Sequence, residues 1–403
     1  MKNNRTFLEK LLDGAEVEWK TVKSLCNDNF WLMPATPEFD DNGTIPYITS
    51  KNIKGGKIDF QNTKYINKHV YQELSRTRCI IENDILISMI GTIGEAVIVK
   101  KEDLFFYGQN MYILRLNNKL VNYKFFLYYF TAPFILNSLL SKKNSSNQGY
   151  LKAGQIENLK IPIPPLSVQI EIVKILDALT ALTSELTSEL TSELILRQKQ
   201  YEYYREKLLN IDEMNKVTEL GDVGPVRMCK RILKNQTANS GDIPFYKIGT
   251  FGKKPDAYIS NELFQEYKQK YSYPKKGDIL ISASGTIGRT VIFDGENSYF
   301  QDSNIVWIDN DETLVLNKYL YHFYKIAKWG IAEGGTIQRL YNDNLKKVKI
   351  SIPPLKEQHR IVSILDKFET LTNSITEGLP LAIEQSQKRY EYYRELLLNF
   401  HNP

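Results

Sequence analysis

Lys51, Asn52, Lys54 and Lys57 fall within Thr49-Ser50-Lys51-Asn52-Ile53-Lys54-Gly55-Gly56-Lys57, a basic stretch interleaved with an amide and two glycines. Lys247, Lys253 and Lys254 fall within a comparable stretch, Tyr246-Lys247-Ile248-Gly249-Thr250-Phe251-Gly252-Lys253-Lys254. Two further stretches contain Lys142, Lys143, Asn147 and Gln148, and Gln338 with Arg339. Lysine neutralises phosphates, whereas Arg, Asn and Gln form paired hydrogen bonds with base edges. These loops are therefore candidates for touching nucleic acid, with solvated turns as the alternative. Gln109-Asn110 and Gln301-Asp302-Ser303-Asn304 are weaker candidates of the same kind.

Residues for catalysis are not assembled in the same way. Both Pro-Pro pairs lie between Ile and Leu, so no Asn/Asp-Pro-Pro-Tyr methyltransferase tetrapeptide is present. Gly56-Lys57 and Gly252-Lys253 lack the Ser or Thr that completes a P-loop. Cys26, Cys79 and Cys229 are scattered with no CxxC pair, and the four His form no cluster, so no metal or cofactor is expected. Pro255-Asp256 with Glu266-Tyr267-Lys268 has a nuclease-like spacing. Lys and Glu are common here and the first half has no equivalent, so coincidence explains it best.

The elements that would carry the basic loops occur twice. Ile161 to Leu209 contains IPIPPL, EIVKILDAL and QYEYYREKLL, and Ile350 to Leu398 contains ISIPPL, RIVSILDKF and RYEYYRELLL, 189 residues further on without a gap. Asp84-Ile85-Leu86-Ile87-Ser88 with Gly91-Thr92-Ile93-Gly94 matches Asp278-Ile279-Leu280-Ile281-Ser282 with Gly285-Thr286-Ile287-Gly288 at 194. So long a period excludes a solenoid and describes a molecule of two similar halves. Both glycine-bounded stretches read as strand, tight turn, strand. YKFFLYYF and NKYLYHFY read as short helices. Ser167 to Asn210 and Lys356 to Asn399 read as long helices entered after Pro-Pro. Glu9-Lys10-Leu11-Leu12 resembles Glu206-Lys207-Leu208-Leu209, so the start of the chain looks like the end of a helical unit. A circular arrangement with neighbouring termini follows.

Thr183-Ser184-Glu185-Leu186 begins three tandem TSEL copies. Leu182, Leu186, Leu190 and Leu194 fall one per turn, with Leu371, Ile375, Leu379 and Ile383 as counterparts. The matched apolar positions predict packing of two antiparallel helices. A four-residue step drifts about 40° around a helix, so the stripe must wind. Gly378 and Pro380 predict a kink or break in the second arm. Tyr201, Tyr204 and Leu208 at helical spacing suit packing, either within the core or against a partner.

Composition sets only broad limits. Hydrophobic content of 42% and charged content of 25% are those of a globular protein, and a net charge of +5 permits nucleic-acid binding without requiring it. The absence of a long apolar run and of an apolar leader suggests a cytoplasmic chain.

FLEKLLDGAEVEW, IPIPPL with EIVKILD, the TSEL copies and YEYYREKLL make the chain resemble the specificity subunits of type I restriction-modification systems, in particular the type IC-like ones. The resemblance implies an α+β fold. Two mixed α/β target-recognition domains, 15–160 and 213–349, would be joined by helical spacers, 161–212 and 350–403, in a pseudo-two-fold, circular architecture completed by 1–14. It further implies a non-catalytic subunit whose two domains each read half of a bipartite, asymmetric site in double-stranded DNA. The helices would set the half-site spacing and dock two modification (methyltransferase) subunits. Restriction subunits, ATP-dependent translocases and endonucleases, would join that core.

Overall fold

The computed structural model describes residues 6–141, 150–210, 216–330, 338–374 and 377–400. It is mixed helix and sheet, divided into two compact units, 1–188 with 384–403, and 189–383. Each unit has the same topology. In the first, an antiparallel sheet runs Cys26–Leu32, Met111–Leu116, Ile85–Ser88, Ala96–Ile98. In the second, the order is Val226–Met228, Ile305–Ile308, Ile279–Ser282, Thr290–Ile292. A three-stranded sheet accompanies each, with one parallel pair: Ile45–Thr49 beside Tyr107–Gln109, and Ile243–Tyr246 beside Tyr299–Phe300.

The strand Ile85–Ser88 is apolar from Ile85 to Ile87 because both its faces are covered. Ile85 and Ile87 enter a core shared with the helices, whereas Leu86 enters the core between the sheets. Ile279 and Ile281 divide from Leu280 in the same way. Side chains alternate across a strand, so a strand between two cores must be apolar at successive positions. The short helices Tyr123–Phe130 and Asn317–Tyr324 close the helical side of each sheet.

The two ends of the chain share a core. Leu8, from the N-terminal helix Phe7–Leu12, belongs to the same buried cluster as Leu397, Leu398 and Phe400. In the second unit Leu209 and Leu220 are buried together, so a continuous chain there does what the two termini do in the first.

Each arm starts after its Pro-Pro pair. The first is one unbroken helix of 44 residues, Leu166–Leu209. The second is two helices, Leu355–Asn373 and Leu379–Leu398. Gly378 causes the break: its φ is +84°, and a Cβ there would lie 2.6 Å from the Thr370 carbonyl oxygen. Pro380 follows in the first turn of the next helix, where a missing N–H costs little. Among the described residues, no helix is long and apolar enough to cross a membrane.

Candidate nucleic-acid interface

In the first unit the basic loop is a brief 3-10 turn, Ser50–Asn52, followed by a two-stranded hairpin, Ile53–Lys54 with Lys57–Ile58. Gly55 and Gly56 form its tip at φ +57° and +71°, a conformation glycine adopts without strain. Lys51, Lys54 and Lys57 are exposed. Asn52 is a brace and not a free base reader. Its Oδ1 accepts from the Thr49 N–H at 2.9 Å, and its Nδ2 donates to the Asp59 carbonyl at 2.9 Å. Both ends of the amide are thereby used to close the foot of the hairpin.

The glycine-bounded turn lies against this loop. Thr92 Oγ1 donates to the Ser50 carbonyl at 3.1 Å, and the Gly55 N–H donates to Glu95 Oε2 at 3.1 Å. The chain after 149 returns to the same place, with Tyr150 bridged to Ile90 and the Leu151 N–H donating to the Met89 carbonyl at 3.1 Å. Three segments far apart in sequence thus converge at one end of the sheet. Lys142, Lys143, Asn147 and Gln148 lie outside the described residues, as do residues 333–337 of the second stretch.

The second unit builds the same cluster with different side chains. Gln301 Oε1 accepts from the Ile248 N–H at 2.8 Å, which ties the basic loop to the end of the sheet. Arg289, the equivalent of Glu95, donates from Nη1 to the Phe251 carbonyl at 3.1 Å. One unit therefore braces its loop with a carboxylate that accepts, the other with a guanidinium that donates. Lys247 is engaged by Asp256 at 2.9 Å, while Lys253 and Lys254 are exposed. The Lys247–Asp256 pair is largely solvated and so contributes little stability. Arg339 is bridged to Ser284, and both Gln338 and Arg339 are exposed.

The nuclease-like spacing does not form a site. Asp256 is held by Lys247, Glu266 pairs with Lys270 at 2.9 Å, and Lys268 lies over the Phe264 and Tyr273 rings.

The leucine stripe is only partly covered. Leu182 is 64% exposed and Leu186 42%, whereas Leu190 and Leu194 are half-buried. The expectation that all four pack is corrected for Leu182 and Leu186, for a stripe that winds cannot keep every member on one face. Leu371, Leu379 and Ile383 are half-buried, and Ile375 lies outside the described residues. Tyr201 is buried, and both it and Tyr204 stack on Phe368. Tyr203 and Tyr392 are the most exposed tyrosines of their motifs, at 58% and 59%, and Tyr204 and Tyr393 are exposed beside them.

Sequence reasoning missed the polar joints between sheet and arm. Lys124 and Tyr128 both bond Asp177, at 2.7 and 2.8 Å. In the second unit Lys318 and the fully buried His322 bond Asp366. Glu369 completes a group of His322, Asp366 and Glu369 whose ligand-type atoms lie within 4.8 Å of one another. Lysines already hold those carboxylates, Lys325 at 2.5 Å from Glu369 and Lys318 at 3.2 Å from Asp366, so the group is an ion-pair network. Burial pushes the His322 imidazole below its usual value, against the opposing pull of Asp366. The signal was present in the exact repetition of Asp177 and Asp366, but their partners follow a different offset.

Comparison with known proteins agrees with this construction. The chain matches the family described as type I restriction modification DNA specificity domain twice, over 15–195 and 212–385. A Haemophilus influenzae protein provisionally assigned as a type I restriction enzyme specificity subunit is 69% identical, over 99% of this chain and all of that one. The Escherichia coli EcoR124I/EcoR124II specificity subunit is 32% identical over 99% of this chain and 98% of its own length. Among solved structures, a chain of a type I R-M system is similar in fold, with TM-score 0.67 and 16% identity over 95% of this chain and 98% of that one. The HsdS subunit of Thermoanaerobacter tengcongensis has TM-score 0.55 and 17% identity, covering 95% of each chain. The chain therefore belongs to the type I restriction-modification specificity subunits, the non-catalytic members of their complexes that carry DNA sequence specificity.

Proposed function

We propose that the two units each read one half of a bipartite, asymmetric DNA sequence, 15–160 serving one half-site and 213–349 the other. The observation that carries this reading is the loop cluster built twice on one backbone plan with different side chains, Glu95 against Arg289 and Tyr150 against Arg339. Equivalent placement supplies equivalent access to a duplex, while altered chemistry supplies different readout. Lys51, Lys54, Lys57, Lys253 and Lys254 contact phosphates, and Gln338 with Arg339 approach base edges. The helical segments 161–212 and 350–403 set the distance between half-sites, as a type IC-like subunit would. They also dock two modification (methyltransferase) subunits, with restriction subunits joining that core, and the exposed pairs Tyr203-Tyr204 and Tyr392-Tyr393 are the docking candidates on the arms.

A methylome of cells carrying this chain with its modification subunit tests the reading. A split motif with two unlike halves is expected. Exchange of 15–160 for the corresponding region of another family member should then replace one half only. A continuous motif, or replacement of both halves, would overturn it.

A further inference from the structure

At position 339 the two loop clusters agree in backbone and differ in chemistry. Leu151 and Leu340 are both buried, and each anchors the preceding residue beside the glycine-bounded turn. The Leu340 N–H donates to the Ala283 carbonyl at 2.8 Å, as Leu151 does to Met89. Tyr150 and Arg339 are therefore equivalent, and both are exposed. Their neighbours are equivalent too: Ile90 with Ser284, and Asn110 with Asn304, the residues directly preceding Met111–Leu116 and Ile305–Ile308.

In the second unit these positions form a polar triad. Asn304 Oδ1 accepts from Ser284 Oγ at 2.8 Å and from Arg339 Nη2 at 3.5 Å. The Asn304 backbone is itself held, since its carbonyl accepts from the Ala283 N–H at 2.7 Å. A guanidinium has five N–H donors in a planar fork, so one directed at Asn304 leaves others for a further acceptor pair. In the first unit Ile90 and Tyr150 offer an apolar and aromatic surface at the same place, of the kind that meets a thymine methyl.

Resting on the half-site reading above, we propose that Arg339 is the specificity-determining residue for one guanine in the half-site read by the second unit, with Ser284 and Asn304 as positioning residues that aim its guanidinium. The fork meets the O6 and N7 acceptors that guanine presents in the major groove. Pinning both backbone and side chain before binding lowers the ordering cost of that contact.

The test uses the full chain with its modification subunit and reads the methylome together with the melting temperature. Arg339→Ala and Arg339→Lys should each relax one guanine position about tenfold or more. The other half-site, the spacing and the melting temperature should stay unchanged. Asn304→Ala should weaken discrimination at that same base alone, which a merely structural loss would not do. The pair Ile90→Ser with Tyr150→Arg, placed beside the existing Asn110, should shift one position of the first half-site toward guanine. Unchanged discrimination in Arg339→Ala, or an even loss across every position, would overturn the assignment. Full discrimination in Asn304→Ala would overturn the positioning role. A parent motif that is not split would instead defeat the half-site reading itself.

Discussion

Gln358 makes in the second unit the same three bonds that Gln169 makes in the first. The Oε1 of Gln169 accepts from the Asn122 N–H at 2.8 Å, and its Nε2 donates to the Leu120 and Pro164 carbonyls. Gln358 accepts from the Leu316 N–H at 2.9 Å and donates to the Leu314 and Pro353 carbonyls. Both side chains are fully buried. Each joins the loop before the short helix to the Pro-Pro turn that starts the arm, so the arm's direction is tied to the sheet by hydrogen bonds as well as by apolar contact.

Replacing either glutamine by leucine strands a partly buried N–H and two carbonyls, of which the one in the Pro-Pro turn is buried. Each stranded group costs about 1–3 kcal/mol. Gln169→Leu and Gln358→Leu should each lower stability by at least about 2 kcal/mol, read as a lower thermal or urea midpoint. A variant that melts like the parent would show that the joint contributes nothing.

Acidity should act on the second unit through His322, which faces Tyr201, Asp366, Glu369 and Lys325. Its folded value lies below the ordinary 6.5, chiefly because burial disfavours the charged ring. The unfolded chain therefore takes up the proton first as pH falls. Stability is fully present above about 6.5 and is lost progressively below it. Melting curves from pH 7.5 to 5 should show this slope, and His322→Gln should flatten it. An equal slope in the variant would assign the effect to other groups.

Lys54 and Lys57 flank the glycine tip of an exposed hairpin and suit phosphate contact. Each phosphate contact adds about 0.9 to the steepness of log affinity against log salt. Lys54→Ala and Lys57→Ala should each reduce that steepness by roughly this amount and weaken all sequences alike. Salt titrations of DNA binding by the assembled complex check it. A change in preferred sequence would reassign these lysines to base readout.

The division between the two units falls within the TSEL copies, in one continuous helix. One added copy lengthens that helix by about 6 Å, against about 3.4 Å for a base pair. The gap between half-sites should widen by one or two pairs, with both halves unchanged. Methylomes of copy-number variants measure this, and altered halves with a fixed gap would refute it.

Local signals were readable wherever a few neighbouring residues decide the outcome. The DILIS strands, the glycine turns, the helix starts after Pro-Pro and the break at Gly378 all follow from φ limits and side-chain alternation. The pairing of Asp177 with Tyr128, or of Asp366 with His322, was not readable, because the partners lie 49 and 44 residues apart and repeat at a different interval.

By itself the sequence determined that the molecule is a duplication, which elements each half contains, and which basic loops are candidates for contact with nucleic acid. Tertiary structure decided how those side chains are used. It turned Asn52 into a brace, left Leu182 and Leu186 exposed, and gave one bracing task to Glu95 in one unit and Arg289 in the other. The reason is physical: backbone preferences act over a few residues, whereas a hydrogen bond between distant loops exists only once packing has brought them together.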